Sequence, residues 1–413
     1  MSSAASSEIS LQRRLRRAER AKRLRALGLI LPLVGFLLFT FIIPIAGMLW
    51  RSVEDQDVAA ALPRTMAALA DWDRKAIPDE PAFAALADDL IEAYKNRSVA
   101  NAAKRLNYDV NGLRTVLTAS ARAVKAPPAP GEAKAALLKI NPAWGELSTW
   151  VAIDRARGPV TDFFLLAALD LKRDMQGDVV GVPADNAIYV DVLLRTLTIG
   201  LGVTGLCVLL GFPVAYLLAA LPAGQANILM IFVLLPFWTS LLVRTCAWIV
   251  LLQDQGLVND ALRWVGLVDE PVRLIFNRTG VFVAITHVLL PFMILPLYSV
   301  MKTISPAYVR AASSLGAPPI AAFVRIYLPL TLPGVAAGAL LVFILAIGYY
   351  ITPALVGGGA DQMLSYFIAF LTTETVNWGL AASLGAVLLS VTLVLGAAYG
   401  KLAYGQQITG GVK

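Results

Sequence analysis

The stretch RAASSLGAPPIAAFVRIYLPLTLPG, Arg310 to Gly334, sets two alanines, a glycine and a proline pair between long apolar segments, then returns to apolar sequence through Leu328-Pro329. Just ahead of it, Ser305 can cap a helix that Pro306 opens, because proline's fixed φ and missing N–H suit a first helical position. Gly316 ends that helix, since glycine takes the left-handed conformation cheaply, and Pro318 and Pro319 restart a second helix after a sharp corner. Leu328-Pro329 is expected to break this second helix. The predicted product is a helix, a corner and a helix, with Ala311 and Ala312 offering a small-side-chain face to another protein. A loop that only links two segments needs none of this, so it reads as a docking element.

Outward from the loop, composition fixes the class. With 58% hydrophobic and 15% charged residues over 413 positions, the chain is an integral membrane protein. A crossing helix needs about 20 predominantly apolar residues, and six stretches qualify: Leu27 to Leu49, Ile188 to Leu221, Ala226 to Leu252, Thr279 to Met301, a run beginning near Thr331, and one between Thr375 and Gly400. Met363 to Thr373 is too short to cross and reads as a membrane-edge helix. The expected fold is all-α. Residues 1–26 form a basic tail, 27–50 the first span, 51–187 a soluble insertion, 188–400 the remaining spans with the loop at 302–330, and 401–413 a second tail.

Orientation follows from lysine and arginine. Eight basic residues between Arg13 and Arg25 face only Glu8 and Glu19, which places the amino terminus in the cytoplasm. Six spans return the carboxyl terminus there and put the Arg310 loop inside. A basic cluster ahead of a span is what orientation requires, so it is read as a solvated face on membrane lipid and not as a nucleic-acid site. The first apolar run is too long for a signal-peptide core and lacks a small-x-small cleavage site. The insertion from Arg51 to Ala187 has 17 basic and 19 acidic side chains and faces outward. In PAFAALADDLIEAYKN, Phe83, Leu86, Leu90 and Tyr94 share one helical face, and APPAPGEAK is a hinge, so a small helical domain is expected. Cys207 and Cys246 lie within spans, as buried apolar residues.

Ala311, Ala312, Gly316, Ile326, Leu328 and Pro329 fall at the spacing of a known motif: Glu-Ala-Ala, three residues, Gly, nine residues, Ile-x-Leu-Pro. Arg310 stands where that motif has its glutamate. On these residues the chain resembles the permease subunits of type I binding-protein-dependent ABC importers, whose fold is called MetI-like. LPFWTSLLVRTCAWIVLLQDQGLVN, LPFMILPLYSVM and GYYITPALVGG are similar to the spermidine/putrescine branch of that family. The resemblance covers roughly Ile188 to Gly400 and leaves the insertion outside it. It implies a bacterial inner-membrane subunit that pairs with a second permease, docks on a cytoplasmic ABC ATPase dimer, and receives a polyamine from a periplasmic solute-binding protein. The chain has no Gly-x-x-x-x-Gly-Lys-Ser/Thr loop, so it is read as no enzyme, with no catalytic residue, metal or cofactor of its own; ATP and magnesium belong to the partner.

Charged groups at membrane depth are the first candidates for the solute path. Arg244, flanked by Trp238 and Trp248, either snorkels outward or pairs with a carboxylate, and becomes a binding group if the solute is anionic. Tyr349, Tyr350, Asp361, Glu374 and Trp378 combine carboxylates with aromatic faces, which suits an ammonium ligand; singly, the aromatics are also ordinary interface anchors. His287 reads as a hydrogen-bonded bundle residue, and Pro213, Pro236, Pro291 and Pro296 as kinks. A secondary transporter remains the alternative class, as does an importer of another small solute; the former predicts paired broken spans in inverted halves, which the sequence does not show.

Overall fold

The computed structural model describes Lys22 and residues 28–410, with side chains as far as Lys401. The basic cluster before the first span and the end of the last tail therefore lie, Lys22 apart, outside the described residues. Among the described residues six helical segments are long and apolar enough to cross a membrane: Gly28–Trp50, Tyr189–Ala220, Leu241–Trp264 with a turn after Leu252, Arg278–Thr303, Pro319–Gly348 and Trp378–Lys401.

The second, fourth and fifth of these form a three-helix centre. Their contact is made close by glycine. A Cβ on Gly200 would stand 2.8 Å from Ile347 and 3.2 Å from Phe343, and one on Gly338 would meet the Met293 sulfur at 2.7 Å. Lipid tails are as apolar as leucine, so no hydrophobic drive joins helices in a bilayer; small residues let backbones approach and dispersion contacts accumulate. Ile199, Val203, Leu289, Met293, Val342 and Ala346 fill the space so created. Pro213, Pro291 and Pro296 sit inside otherwise unbroken helices. The first span, by contrast, buries no side chain within the chain and leans on the final helix, a surface suited to hydrocarbon.

Two spans depart from the sequence reading. The third is not one helix from Ala226 to Leu252. Ala223–Leu234 passes into a 3₁₀ turn at Leu235–Trp238, Thr239 and Ser240 are extended, and a new helix runs Leu241–Leu252. Pro236 withholds an N–H from the α ladder, and the tighter 3₁₀ turn absorbs the loss. The expected break at Leu328-Pro329 is not one either. Pro319–Ala322, a π-helical turn Phe323–Tyr327 and Leu328–Gly348 run on without interruption. The Leu328 N–H reaches back to the Phe323 carbonyl. This widened turn accommodates the Pro329 ring where a regular α-turn would set it against the carbonyl four residues back.

The insertion is a domain with its own core. Its larger helices are Glu80–Lys95, Val99–Asp109, Leu113–Ala123, Ala133–Ile140 and Leu147–Arg155. Phe83, Leu86, Leu90, Trp144 and Trp150 are wholly buried in it. Tyr94, expected on the same face as Phe83, is instead about half exposed at 52% because it sits in the last turn, where the helix leaves the core. Within APPAPGEAK, Ala126 to Glu132 is a non-helical hinge, and Ala133 and Lys134 open the next helix. A two-stranded hairpin, Leu171–Arg173 with Val179–Gly181, lies beyond what the sequence reading anticipated.

The domain's two ends are pinned together. The Asp55 N–H donates to the Pro159 carbonyl at 3.1 Å and the Thr161 N–H to the Val53 carbonyl at 2.7 Å. Beside this clasp, Arg105 bonds Asp55 at 2.7 Å and Asp109 at 2.8 Å, with its guanidinium 3.8 Å over the Phe163 ring. Burial pushes both aspartates above the ordinary carboxylate value, against the pull of Arg105. The domain is also tied to the last span: Lys104 donates to the Thr375 carbonyl and, at 3.1 Å, to that of Val376, and Ser383 donates to the Ser52 carbonyl. Val376 has φ 52°, a conformation that costs a β-branched residue free energy and that these contacts hold in place.

Two stability predictions follow from this packing. Gly338→Val will destabilise the detergent-solubilised chain by about 1–3 kcal/mol through overpacking against Met293, whereas Gly205→Ala, with open space around it, will leave the melting midpoint in place. Arg105→Met strands two buried carboxylates and will cost about 3–5 kcal/mol, visible as early unfolding of the inserted domain in a protease-resistance scan while the helical bundle persists.

Candidate coupling loop and solute path

The stretch from Ser305 to Pro319 folds as a helix and a corner. The Ser305 hydroxyl accepts the Ala307 N–H at 3.3 Å, and the helix runs Ala307–Ser314. Gly316 has φ 84°, and the helix end is closed by two bonds: Ala317 N–H to the Ala312 carbonyl and Gly316 N–H to the Ser313 carbonyl, both at 3.0 Å. This is the Schellman arrangement that a left-handed residue permits. Pro319 then occupies the first turn of the next helix.

The two alanines part company here. Successive residues on a helix are about 100° apart, and the structure buries Ala312 against the chain's own helices while Ala311 stays exposed beside Arg310. The surface the loop offers outward includes Tyr308, Arg310, Ala311, Leu315 at 89% exposure and Ile320 at 79%. Ile326 and Leu328 are half-buried in the π-helical turn and just after it, and Pro329 is exposed.

An aromatic cluster that the sequence reading missed carries this loop into the bundle. Phe323 and Tyr327, on one face of the π-helical turn, stack at 5.6 Å; Tyr216, near the end of the second span, meets them edge-on at 5.7 and 5.3 Å, and Phe212 reaches Phe323 at 6.2 Å. Such pairs contribute about 0.5–1.5 kcal/mol each beyond area burial. Phe212 and Tyr216 at i, i+4 were the available signal.

At the other end of the bundle the candidate path residues fall in separate places. Asp361 is buried and bonded: its carboxylate accepts from Arg278 at 3.2 Å and from the Gly358 N–H at 3.2 Å, pinning the loop before Leu364–Thr373 to the start of the fourth span. Tyr349 and Tyr350 line a shallow cavity with Leu241 and Ile351. Glu374 is exposed where the short helix ends. Trp378 lines a cavity of about 470 Å³ shared with Lys104 and Tyr108 of the inserted domain. Trp238 is 76% exposed at the break in the third span.

Arg244 follows that break. Its Nε and Nη1 are buried without a hydrogen-bond partner, and no carboxylate pairs with it among the described residues. His287 accepts the Trp248 indole N–H on Nδ1 at 3.2 Å, which ties the third span to the fourth. Cys207 is buried, as expected, whereas Cys246 is exposed on the outer surface of its helix.

Comparison with known proteins places this geometry. Residues 208–403 match the family described as binding-protein-dependent transport system inner membrane component. Over 211 residues the chain is 35% identical to the spermidine/putrescine transport system permease protein PotB of Escherichia coli K12, an alignment covering 51% of this chain and 76% of that one. The chain belongs to this family of transport permeases. The permease is also 35% identical over 186 residues to the inner membrane ABC transporter permease protein YdcU of Escherichia coli K12, with 42% and 59% of the two chains covered. Among solved structures, a bacterial ABC transporter involved in import of the acidic polysaccharide alginate aligns over 52% of this chain and 79% of its own, at 21% identity and a TM-score of 0.42. The protein is thus a multi-pass inner-membrane permease subunit of an ABC importer, working within a binding-protein-dependent system, and not itself an enzyme.

The corner at Gly316 gives a local test. Gly316→Val forces a β-branched residue into φ 84°, a strain of about 1–3 kcal/mol. Hydrogen exchange between Arg310 and Ile320 will rise markedly, while exchange in the three central spans stays unchanged.

Proposed function

We propose that this permease carries a polyamine of the spermidine/putrescine class inward across the inner membrane by alternating access. The observation that carries the reading is the 35% identity to a spermidine/putrescine permease over the membrane core, the part of the chain that forms a solute path. Both described chain ends then face the cytoplasm, the Ala307–Ser314 helix points into it, and the inserted domain stands on the periplasmic side.

Two partner surfaces follow. On the cytoplasmic side, an ABC ATPase dimer holding ATP and magnesium receives Arg310, Ala311 and Leu315. Closure of that dimer moves the helix as a rigid lever, and the Tyr216–Phe323–Tyr327 cluster passes the movement to the second and fifth spans. With Arg310 in place of a carboxylate, the facing ATPase surface is acidic or neutral. On the periplasmic side, the solute-binding protein delivers its cargo, and the inserted domain widens the surface available to it. A second permease, a different chain, completes the path; the exposed break at Trp238 and the tyrosines at 349 and 350 border it.

One observation favours a second reading. A buried guanidinium without an acceptor, as at Arg244, suits an anionic solute better than a cationic one. Reconstitution with the ATPase, the second permease and the binding protein separates the two: the polyamine reading expects spermidine or putrescine to stimulate ATP hydrolysis severalfold, and stimulation confined to a carboxylate or phosphonate solute overturns it. In the same system Ala311→Trp, whose side chain projects from the loop, will cut uptake at least tenfold without lowering the amount of permease in the membrane. Full uptake by that variant contradicts docking through this helix.

A further inference from the structure

The inserted domain contains a cavity of about 720 Å³ between the end of the helix Leu147–Arg155, the segment from Gly158 to Leu166 and the hairpin. Its volume lies within the range of about 300–1,000 Å³ typical of small-molecule sites. Six cations line it: Arg74, Arg105, Arg155, Arg157, Lys172 and Arg173.

Three carboxylates, Asp109, Asp154 and Asp162, line it as well; each has an arginine partner, although Asp154 Oδ1 makes no hydrogen bond. Asp154 takes Arg74 at 2.5 Å and Arg157 at 3.5 Å; Asp162 takes Arg173 at 2.5 Å; Arg105 is shared by Asp55 and Asp109. Arg155 and Lys172 are left without a carboxylate among the described residues. Arg155 donates only to the main-chain carbonyls of Arg173 and Asp174, and its Nε is buried with no acceptor at all. A guanidinium N–H withdrawn from water and left unbonded is costly, and an oxyanion oxygen is an acceptor that satisfies it. Phe163, Leu165 and Leu166 add apolar atoms to the lining, the Phe163 ring lying under the Arg105 guanidinium. Val53, also in the lining, is three residues past the end of the first span at Trp50, so the cavity sits close to the membrane boundary.

We propose that this cavity is an oxyanion site that takes a phosphate group, held by Arg155 and Lys172 at the rim of the hairpin. The group can come from free phosphate or from the headgroup of an anionic phospholipid in the outer leaflet, which the apolar lining atoms and the nearby membrane boundary would also accommodate. The site is separate from the solute path and does not depend on which solute is carried.

The test uses the full-length chain in mild detergent. Inorganic phosphate is titrated by calorimetry, and phosphatidylglycerol retained through purification is quantified by mass spectrometry, for wild type, Arg155→Gln and Lys172→Glu. Saturable phosphate binding weakened at least tenfold in the variants supports the site with a free anion. No binding of free phosphate, but phosphatidylglycerol retained by wild type and lost from the variants, supports it with a lipid headgroup. Should Arg155→Gln loosen the hairpin, Lys172→Glu decides the matter alone, because the Lys172 side chain is exposed and bonded to nothing in the domain. Equal phosphate binding and equal lipid content in wild type and Lys172→Glu overturn the proposal.

Discussion

Close approach of three helix backbones, allowed at Gly200, Gly211 and Gly338, is the constraint on which the rest of this molecule depends. In hydrocarbon, the gain from packing comes only from contact that lipid cannot make equally well. A methyl group at any of these glycines would enter the van der Waals space of Phe343, Ile347, Met293 or Ile294. The second, fourth and fifth spans are thereby a unit, and the other spans can differ from them: the first is exposed except where it leans on the final helix, and the third is broken near Thr239 without loss of the bundle. Breaks are tolerable there because backbone groups freed at a 3₁₀ turn can be satisfied locally or by a neighbouring chain.

A rigid centre also gives the loop something to act on. The Ala307–Ser314 helix is fixed at one end by Ser305 and at the other by the Gly316 corner, and the π-helical turn sets Phe323 and Tyr327 against Tyr216. Displacement of the loop is therefore displacement of the second and fifth spans. At the opposite end, Lys104 and Ser52 fasten the inserted domain to the start of the last span, and Asp361 fastens the preceding loop to the fourth. Val376 is held in a left-handed conformation between them. Both ends of the bundle are thus connected to structure outside the spans.

Much of this was legible in the sequence because membrane crossing is a local property: run length and charge gave six spans, though not the break before Leu241 or the early start of the fifth at Pro319, and Ser305, Pro306, Gly316 and Pro319 marked the loop by their backbone chemistry. What depends on long-range contact was not. Asp361 read as a carboxylate suited to an ammonium ligand, but Arg278, 83 positions away, holds it. Ala311 and Ala312 read as one small face, and only the packing of the loop on the π-helical turn shows that one of them is interior. The union of Lys104 with Thr375 spans 271 positions and has no sequence pattern. Pro236 and Pro329 announced irregularity without its form: one produced a break, the other a widened turn, according to whether the neighbouring residues continued the helix.

The central claim is that the helix after Pro306 is where ATP-driven motion enters the permease. It is tested most directly by placing a single reactive thiol at the exposed corner, Leu315→Cys, with the other exposed cysteine removed as Cys246→Ser. In membranes containing the assembled importer, a short bismaleimide is expected to join this position to the ATPase subunit, giving one adduct of the combined mass. A position that reacts freely with monofunctional maleimide in the actively transporting complex, and forms no adduct, would contradict the account.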